Sequence, residues 1–305
     1  MEKSTAERVK VFVQNMTYFL KFIIALSMLA VSLVAEPEED TTGINYRYRQ
    51  NYDFITMKDT IFTFDSEFIL PDGYRHADST LLSPFQNYVA NFPLWHKHLP
   101  IGNWKGAKEF DKTEISRPVH LPHQGLAFTN KGIPIRILAE YLHDNNRELE
   151  LEIAPINGDR LKYSKWLFNK VVYGARKTVK YREVPPRDTT LNTYYTFMKT
   201  CMRSSNFESL TYNGDSVALS DLMPGDIFVA YNENSTKGEV FVVMHMLVGN
   251  KKDNLYAVAT GCKKPCDFHI PLFNGDRDNP WLTADEIYEL GNDYPNRGFY
   301  RFKIK

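Results

Sequence analysis

Pro224 to Val248 reads PGDIFVAYNENSTKGEVFVVMHMLV, and its reading decides the fold class. Pro224–Gly225 is a turn signal, Asp226 to Tyr231 an apolar strand, and Glu239 to Val248 a longer strand in which His245 alternates with Val243 and Leu247. Working outward, Leu255 to Thr260 and Phe268 to Phe273 read as further strands, and Gly298 to Ile304 alternates strongly. Upstream the period changes. SPFQNYVANFPL predicts a helix with Ser83 as N-cap and Pro84 at its first position, stopping near Phe92–Pro93. Ile133 to His143 places Ile133, Ile137, Leu138, Tyr141 and Leu142 at helical spacing, and Leu191 to Met202 reads as another helix. Between them, LELEI at Leu149 to Ile153 alternates like a strand, Asn157–Gly158 is a turn, and VPPRD at Val184 to Asp188 is a connector. Helices come first and strands late, which predicts an α+β domain with N-terminal helices packed on an antiparallel sheet.

Composition bounds the function. Lys+Arg and Asp+Glu both number 37, and this balance argues against a nucleic-acid partner, which calls for a basic excess. Hydrophobic residues at 43% are ample for a packed core and exclude a solvated disordered chain. The sequence contains no internal repeat, P-loop, dinucleotide fingerprint, HExxH or GxSxG, so no cofactor is predicted.

The N-terminus carries an address. Phe22 to Ala35, FIIALSMLAVSLVA, is uncharged, follows Lys21 and precedes EPEED. It reads as a secretory signal peptide, with a retained signal anchor as the alternative. The predicted organisation is residues 1–35 as signal or anchor, 36–80 as linker and lead-in with a strand-like piece at Thr60 to Phe64, and 81–305 as a single α+β domain. The expected location is therefore the periplasm or cell envelope, with membrane attachment only if the apolar segment is retained. The expected partner is a cell-wall peptide or an envelope protein.

Three cysteines make no disulfide framework. Cys262 and Cys266 could pair in an exported protein, leaving Cys201 free beside Met198 and Met202 as a buried structural thiol. Cys262, Cys266 and His269 could instead be metal ligands, but their spacing is not a standard zinc pattern and no metal site is predicted. His245 is either a satisfied strand residue or a displaced catalytic base. His120 and His123 read as loop residues rather than ligands. Asp226, after the Pro–Gly turn, reads as structural. Asp267 and His269 are two apart and share one strand face, where they could line a pocket near Thr260. Trp281 is a core plug or a pocket wall. Trp95, His96, His98 and Trp104 make an aromatic-rich loop that either covers the core or offers a glycan or peptide surface.

SPFQNYVANFPL, IRILAEYLH, GDIFVAY and CDFH followed by NPW occur here in one order, and this ordered set resembles the exported bacterial family catalogued as domain of unknown function 4846, known mainly from the Bacteroidetes. KWLFNKVVYGAR at Lys165 to Arg176 is similar to its Trp…Gly-x-Arg stretch. The resemblance covers about Ser83 to the C-terminus. In that family a Gln-Gln-Cys-Ala-Asp run precedes the helix equivalent to IRILAEYLH, the strand equivalent to Glu239–Val248 begins Pro-Gly-His-Ala, and the next strand ends in Gln. The layout is that of papain-like and NlpC/P60-like cysteine hydrolases, in which a helix N-terminus lowers the thiol pKa and the His serves as base and acid.

Carried across by that alignment, Asn130 stands where the Cys would be, Glu239 where the His would be and Thr260 where the Gln would be. Arg136, Trp166, Asp226, His245, Asp267, His269 and Trp281 are the positions that could line the surrounding pocket. The resemblance then implies a degenerate papain-like domain in a binding or structural role. The alternatives are an active amide or peptidoglycan-peptide hydrolase with a non-standard site, and a membrane-anchored partner protein.

Overall fold

Two apolar strands following the Pro224–Gly225 turn lie at the centre of the molecule. In the computed structural model, residues 62–95, 101–102, 115–121, 129–263, 266–273 and 275–304 are described. In chain order they form helix α1 (Phe64–Glu67), strand β1 (Tyr74–His76), helix α2 (Pro84–Ala90), strand β2 (Ile115–Pro118), helix α3 (Ile133–Asp144), strands β3 (Glu152–Ile153) and β4 (Leu161–Lys162), helix α4 (Tyr163–Trp166), and strands β5 (Asn169–Tyr173) and β6 (Val179–Glu183). Helices α5 (Leu191–Ser204) and α6 (Phe207–Thr211) follow, then strands β7 (Gly214–Val217), β8 (Ile227–Tyr231), β9 (Gly238–Gly249), β10 (Leu255–Ala259) and β11 (His269–Pro271), helix α7 (Ala284–Glu289) and strand β12 (Asn296–Phe302). The predicted signal segment and the aromatic positions His96, His98 and Trp104, with His123, lie outside the described residues.

The architecture is α+β with antiparallel pairing throughout the named strands. Strand β9 organises the largest sheet. Its first half pairs with β8 from Tyr231↔Gly238 to Ile227↔Val242, its last residues pair with β1, and β10 lies along its other edge. Strand β12 continues the sheet from β8, and β7 ends it. Both faces of β9 are covered, so the strand reads as a nearly continuous apolar run. Val240 and Val242 enter the larger core, against α2, α3 and α5, while Phe241 and Val243 enter a smaller core with Leu222 and Ile287 of α7.

A bulge in β9 changes which face its second half presents. Ala257 pairs with His245 but Val258 pairs with Val243, so Met244 is the extra residue. The parity of the strand flips there. His245 and Leu247 therefore join Val242 on the larger-core side, and His245 does not share a face with Val243 as simple alternation predicts.

The helices form where their caps allow. Ser83 and Gln86 make a reciprocal capping box around Pro84 at the start of α2. Helix α3 is buried almost all round and carries the ion pair Arg136–Glu140 inside it. Helix α5 packs beside α3, where the Tyr194 hydroxyl donates to the Ala139 carbonyl at 2.8 Å.

Several local expectations differ. Thr60 to Phe64 is not a strand over its described part: Phe62 makes one bridge to Leu94, and the Thr63–Ser66 capping box starts α1 at Phe64. Leu149 is exposed in a 3-10 turn, Glu148 to Glu150, because the Glu150 N–H turns back to the Arg147 carbonyl; only Glu152–Ile153 is extended. Lys165 to Arg176 contributes to an unforeseen antiparallel pair, β5 with β6. The sheet is also not assembled from late strands alone, since β1 joins it from residues 74–76. In the stretch predicted as lead-in, Phe64 and Phe68 are buried in the larger core, each contributing about 1.5–3 kcal/mol of apolar transfer free energy.

Candidate functional site

Helix α3 is preceded by a 3-10 turn, Asn130 to Gly132, and Asn130 is buried at its start. The Asn130 N–H donates to the Cys262 carbonyl at 3.0 Å. Its side-chain oxygen accepts from the Lys131 N–H at 2.9 Å. Its amide nitrogen points at the opening of β9, 3.4 Å from the Gly238 carbonyl and 3.4 Å from Glu239 Oε2. Thr260 follows the last residue of β10, and its hydroxyl donates to the Val240 carbonyl at 2.6 Å. Its backbone exchanges two hydrogen bonds with His269, which holds β11 against the end of β10.

Gly261 lets these pieces meet. A Cβ there would lie 3.0 Å from Ile133 Cγ1 and 3.2 Å from Asn130 Cα, so the helix start and the strand end approach as closely as a missing side chain permits. The fold thus brings a helix N-terminus, a strand start and the end of the neighbouring strand together, carrying Asn130, Glu239 and Thr260 respectively.

The electrostatics are those of an amide, a carboxylate and two lysines. Lys263, largely exposed, places Nζ 3.0 Å from Glu239 Oε1, and that carboxylate raises the lysine's pKa. Lys131 donates to the Ser205 carbonyl at 3.1 Å, and burial pushes its pKa down. The Glu239 carboxylate can accept hydrogen bonds. Asn130 offers no nucleophile, and the Thr260 hydroxyl is directed into a backbone carbonyl. The arrangement can hold a polar ligand by hydrogen bonds; it contains no thiol to attack one.

The remaining predicted positions disperse. Arg136 is buried one turn further along α3 in its pair with Glu140, with its guanidinium 5.3 Å from the Tyr195 ring. Trp166 packs on Tyr163 and Phe197 under the Arg187 guanidinium, in the larger core. Asp226 is wholly buried and binds Arg301 through Nε at 2.7 Å and Nη2 at 2.8 Å, while also accepting from the Met223 N–H. Burial raises its pKa, and the bonds from Arg301 and Met223 oppose the rise. Asp267 turns to the Gly102 N–H at 2.6 Å. His269 is enclosed with Nδ1 2.9 Å from the Asp267 carbonyl, and burial lowers its pKa. Trp281 is a core residue whose indole N–H donates to the Ile69 carbonyl. His245 lies under Phe64, away from Asn130's hydrogen-bond partners.

Lys131, Lys263 and Gly261 were not legible as site residues. Only their proximity in sequence to Asn130 and Thr260 could have signalled them. A cleft of about 550 Å³ lies elsewhere, lined by Leu138, Glu150, Arg160, Tyr212 and Phe302 among others, and none of the predicted site residues borders it.

Cys262 and Cys266 are joined in a disulfide, and Cys201 is the free thiol, wholly buried with its pKa driven well up by desolvation. The native protein is therefore expected to react with no equivalent of a thiol reagent, with one equivalent after unfolding, and with three after unfolding and reduction. A fast-reacting native thiol would contradict this placement.

A family model described as domain of unknown function (4846) matches residues 64–305. No curated protein and no solved structure matches the chain.

Proposed function

This chain belongs to the family described as domain of unknown function 4846, and from that premise we propose that it is an exported cell-envelope protein whose papain-like domain has lost thiol catalysis and acts by binding. The observation that carries the reading is the meeting of Asn130, Glu239 and Thr260 at a helix start, a strand start and a neighbouring strand end. That is the layout a cysteine hydrolase needs for nucleophile, base and orienting group. Here the first place holds an amide, which cannot form a thiolate, so the carboxylate at the second has no nucleophile to activate.

A binding role follows from what the same groups still do. Glu239, with Lys263 at its rim, presents paired charges beside the buried Asn130, suited to the amino and carboxyl groups of a cell-wall peptide or an envelope protein segment. Export rests on the apolar run Phe22 to Ala35, which lies outside the described residues; among the described residues no helix is long and apolar enough to cross a membrane. Sequencing the N-terminus of the mature protein distinguishes cleavage from anchoring.

The decisive assay incubates the purified protein with cell-wall peptides, with and without iodoacetamide. No turnover is expected in either arm, with peptide retained by binding. Turnover abolished by iodoacetamide would overturn the loss of thiol catalysis.

A further inference from the structure

A second polar cluster lies apart from Asn130 and Glu239, where α1 and β1 close over the second half of β9. Asp65 comes from α1, His76 from the end of β1 and His245 from just beyond the bulge in β9. His76 Nδ1 is 2.9 Å from Asp65 Oδ1 and 3.0 Å from His245 Nε2, and Asp65 Oδ1 is 3.5 Å from His245 Nε2. From these elements we propose that Asp65, His76 and His245 bind one divalent transition-metal ion, zinc foremost, with a further coordination position open to solvent.

The hydrogen-bond chemistry is the first support. His245 Nδ1 lies 2.9 Å from the Ala90 carbonyl, which can only accept, so Nδ1 carries the proton and the neutral ring turns its Nε2 lone pair to the cluster. A backbone carbonyl fixing the tautomer of a ligand histidine is the usual outer support of a metal site. With Nε2 a bare acceptor facing the carboxylate, the hydrogen-bond capacity between the three groups is a single shared proton, on His76 Nδ1. Once that proton moves to the other nitrogen of the His76 ring, two lone-pair donors and a carboxylate oxygen converge on one point, and a cation satisfies all three together.

The second support is metric. A circle through the three donor atoms has a radius of about 1.8 Å, smaller than the roughly 2.0–2.1 Å of a zinc–nitrogen or zinc–carboxylate bond, so one ion can reach all three at bonding distance from just outside their plane. The donor set of two imidazoles and a carboxylate suits zinc and its first-row neighbours rather than magnesium or calcium. Surroundings complete the case. Phe64 stacks on His245 at 5.0 Å and Trp281 stands 6.0 Å from it, giving apolar walls on one side. Asp65 is 58% exposed, so the opposite side is open to water or to a ligand's donor atom. Such an ion would also tie α1 to β1 and β9 of the main sheet.

The test titrates zinc ions into the full mature chain, freed of metal by chelator, by calorimetry with elemental analysis. One equivalent is expected, with a rise in melting temperature. His76→Ala, at a partly exposed position, and Asp65→Asn, at an exposed one, are each expected to weaken binding by at least about tenfold and to shrink the thermal shift while leaving the metal-free melting temperature nearly unchanged. His245 is spared because it is part of the core. The cobalt-substituted protein should absorb in the visible without a thiolate charge-transfer band. Absence of stoichiometric zinc overturns the proposal. So does binding that survives both variants, or binding lost instead in Cys262→Ser/Cys266→Ser, which would place the ion at those cysteines.

Discussion

Arg117→Met is expected to lower the free energy of unfolding by about 3–5 kcal/mol. Arg117, in β2, is 1% exposed, and its guanidinium makes five hydrogen bonds to four residues. Nε donates to Glu67 Oε2 at 2.8 Å, and Nη2 donates to the Glu67 carbonyl at 2.9 Å and to Asp278 Oδ1 at 2.8 Å. Nη1 donates to the carbonyls of Ser116 at 3.0 Å and Arg277 at 3.1 Å. The Phe68 ring lies 4.8 Å beneath. Methionine fills most of the space, so a cavity is not the cause of the loss. The cost comes from Glu67, left as a mostly buried carboxylate without its cation, and from carbonyls left without donors. Asp278 is over a third exposed and can rehydrate, so it adds little. Arg117→Met/Glu67→Leu should therefore recover a large part of the loss, because removing both charges costs less than stranding one. Equilibrium denaturation of the two variants measures both quantities. A single-variant loss below about 1 kcal/mol would refute the role given to the cluster. The weakened variant should also become susceptible to proteolysis between residues 62 and 80, since Glu67 is where that segment is tied to β2.

The same cluster explains what the sequence conceals. Strand β9 was legible because both its faces are buried and its apolar run is long. Helices α2 and α3 were legible because Ser83, Pro84 and the 3.6-residue period are local signals. The bulge at Met244 was not, since nothing in VVMHML marks an extra residue; it emerges only from the pairing with β10. Residues 62–80 read as lead-in because they are polar and turn-rich, yet Phe64, Phe68 and Glu67 hold them to the core through partners at positions 117, 245 and 281. Long-range contacts of this kind leave no periodic trace. The site divides along the same line. Asn130, Glu239 and Thr260 were reached through a family resemblance and do meet. Trp166, Asp226 and Trp281 lie in stretches picked out by the same resemblance, yet they belong to the packing. Asp65 and His76 carried no signal, because the chemistry of three ligands depends on a strand register that brings His76 opposite Leu247.

Gly238→Ala is expected to cost about 2–3 kcal/mol and to displace Asn130 from Glu239, although it adds a single carbon. In the alignment that put Glu239 at the histidine of Pro-Gly-His-Ala, Gly238 falls on the glycine, and the structure supplies a reason for one. A Cβ at residue 238 would lie 2.3 Å from the Ala230 carbonyl oxygen and 2.9 Å from the Phe207 ring. The first neighbour is backbone of the paired strand, opposite through Ala230↔Glu239 and Tyr231↔Gly238. The second is a core side chain with little room to retreat. Either the β8–β9 pairing opens at its end or Phe207 leaves its packing, and both routes move the Gly238 carbonyl and the Glu239 carboxylate that face the Asn130 amide. Asn130→Ala provides the contrast. It removes the two long hydrogen bonds to the strand start and the one accepted from the Lys131 N–H, but leaves the strand start in place, so about 1 kcal/mol is expected. Chemical denaturation ranks the two variants, and the side-chain amide resonance of Asn130 reports the site directly in Gly238→Ala. Stability within about 0.5 kcal/mol of the parent together with an unmoved amide resonance would mean that the strand start tolerates a side chain. The close approach at Gly238 would then not be what positions Glu239 against the helix.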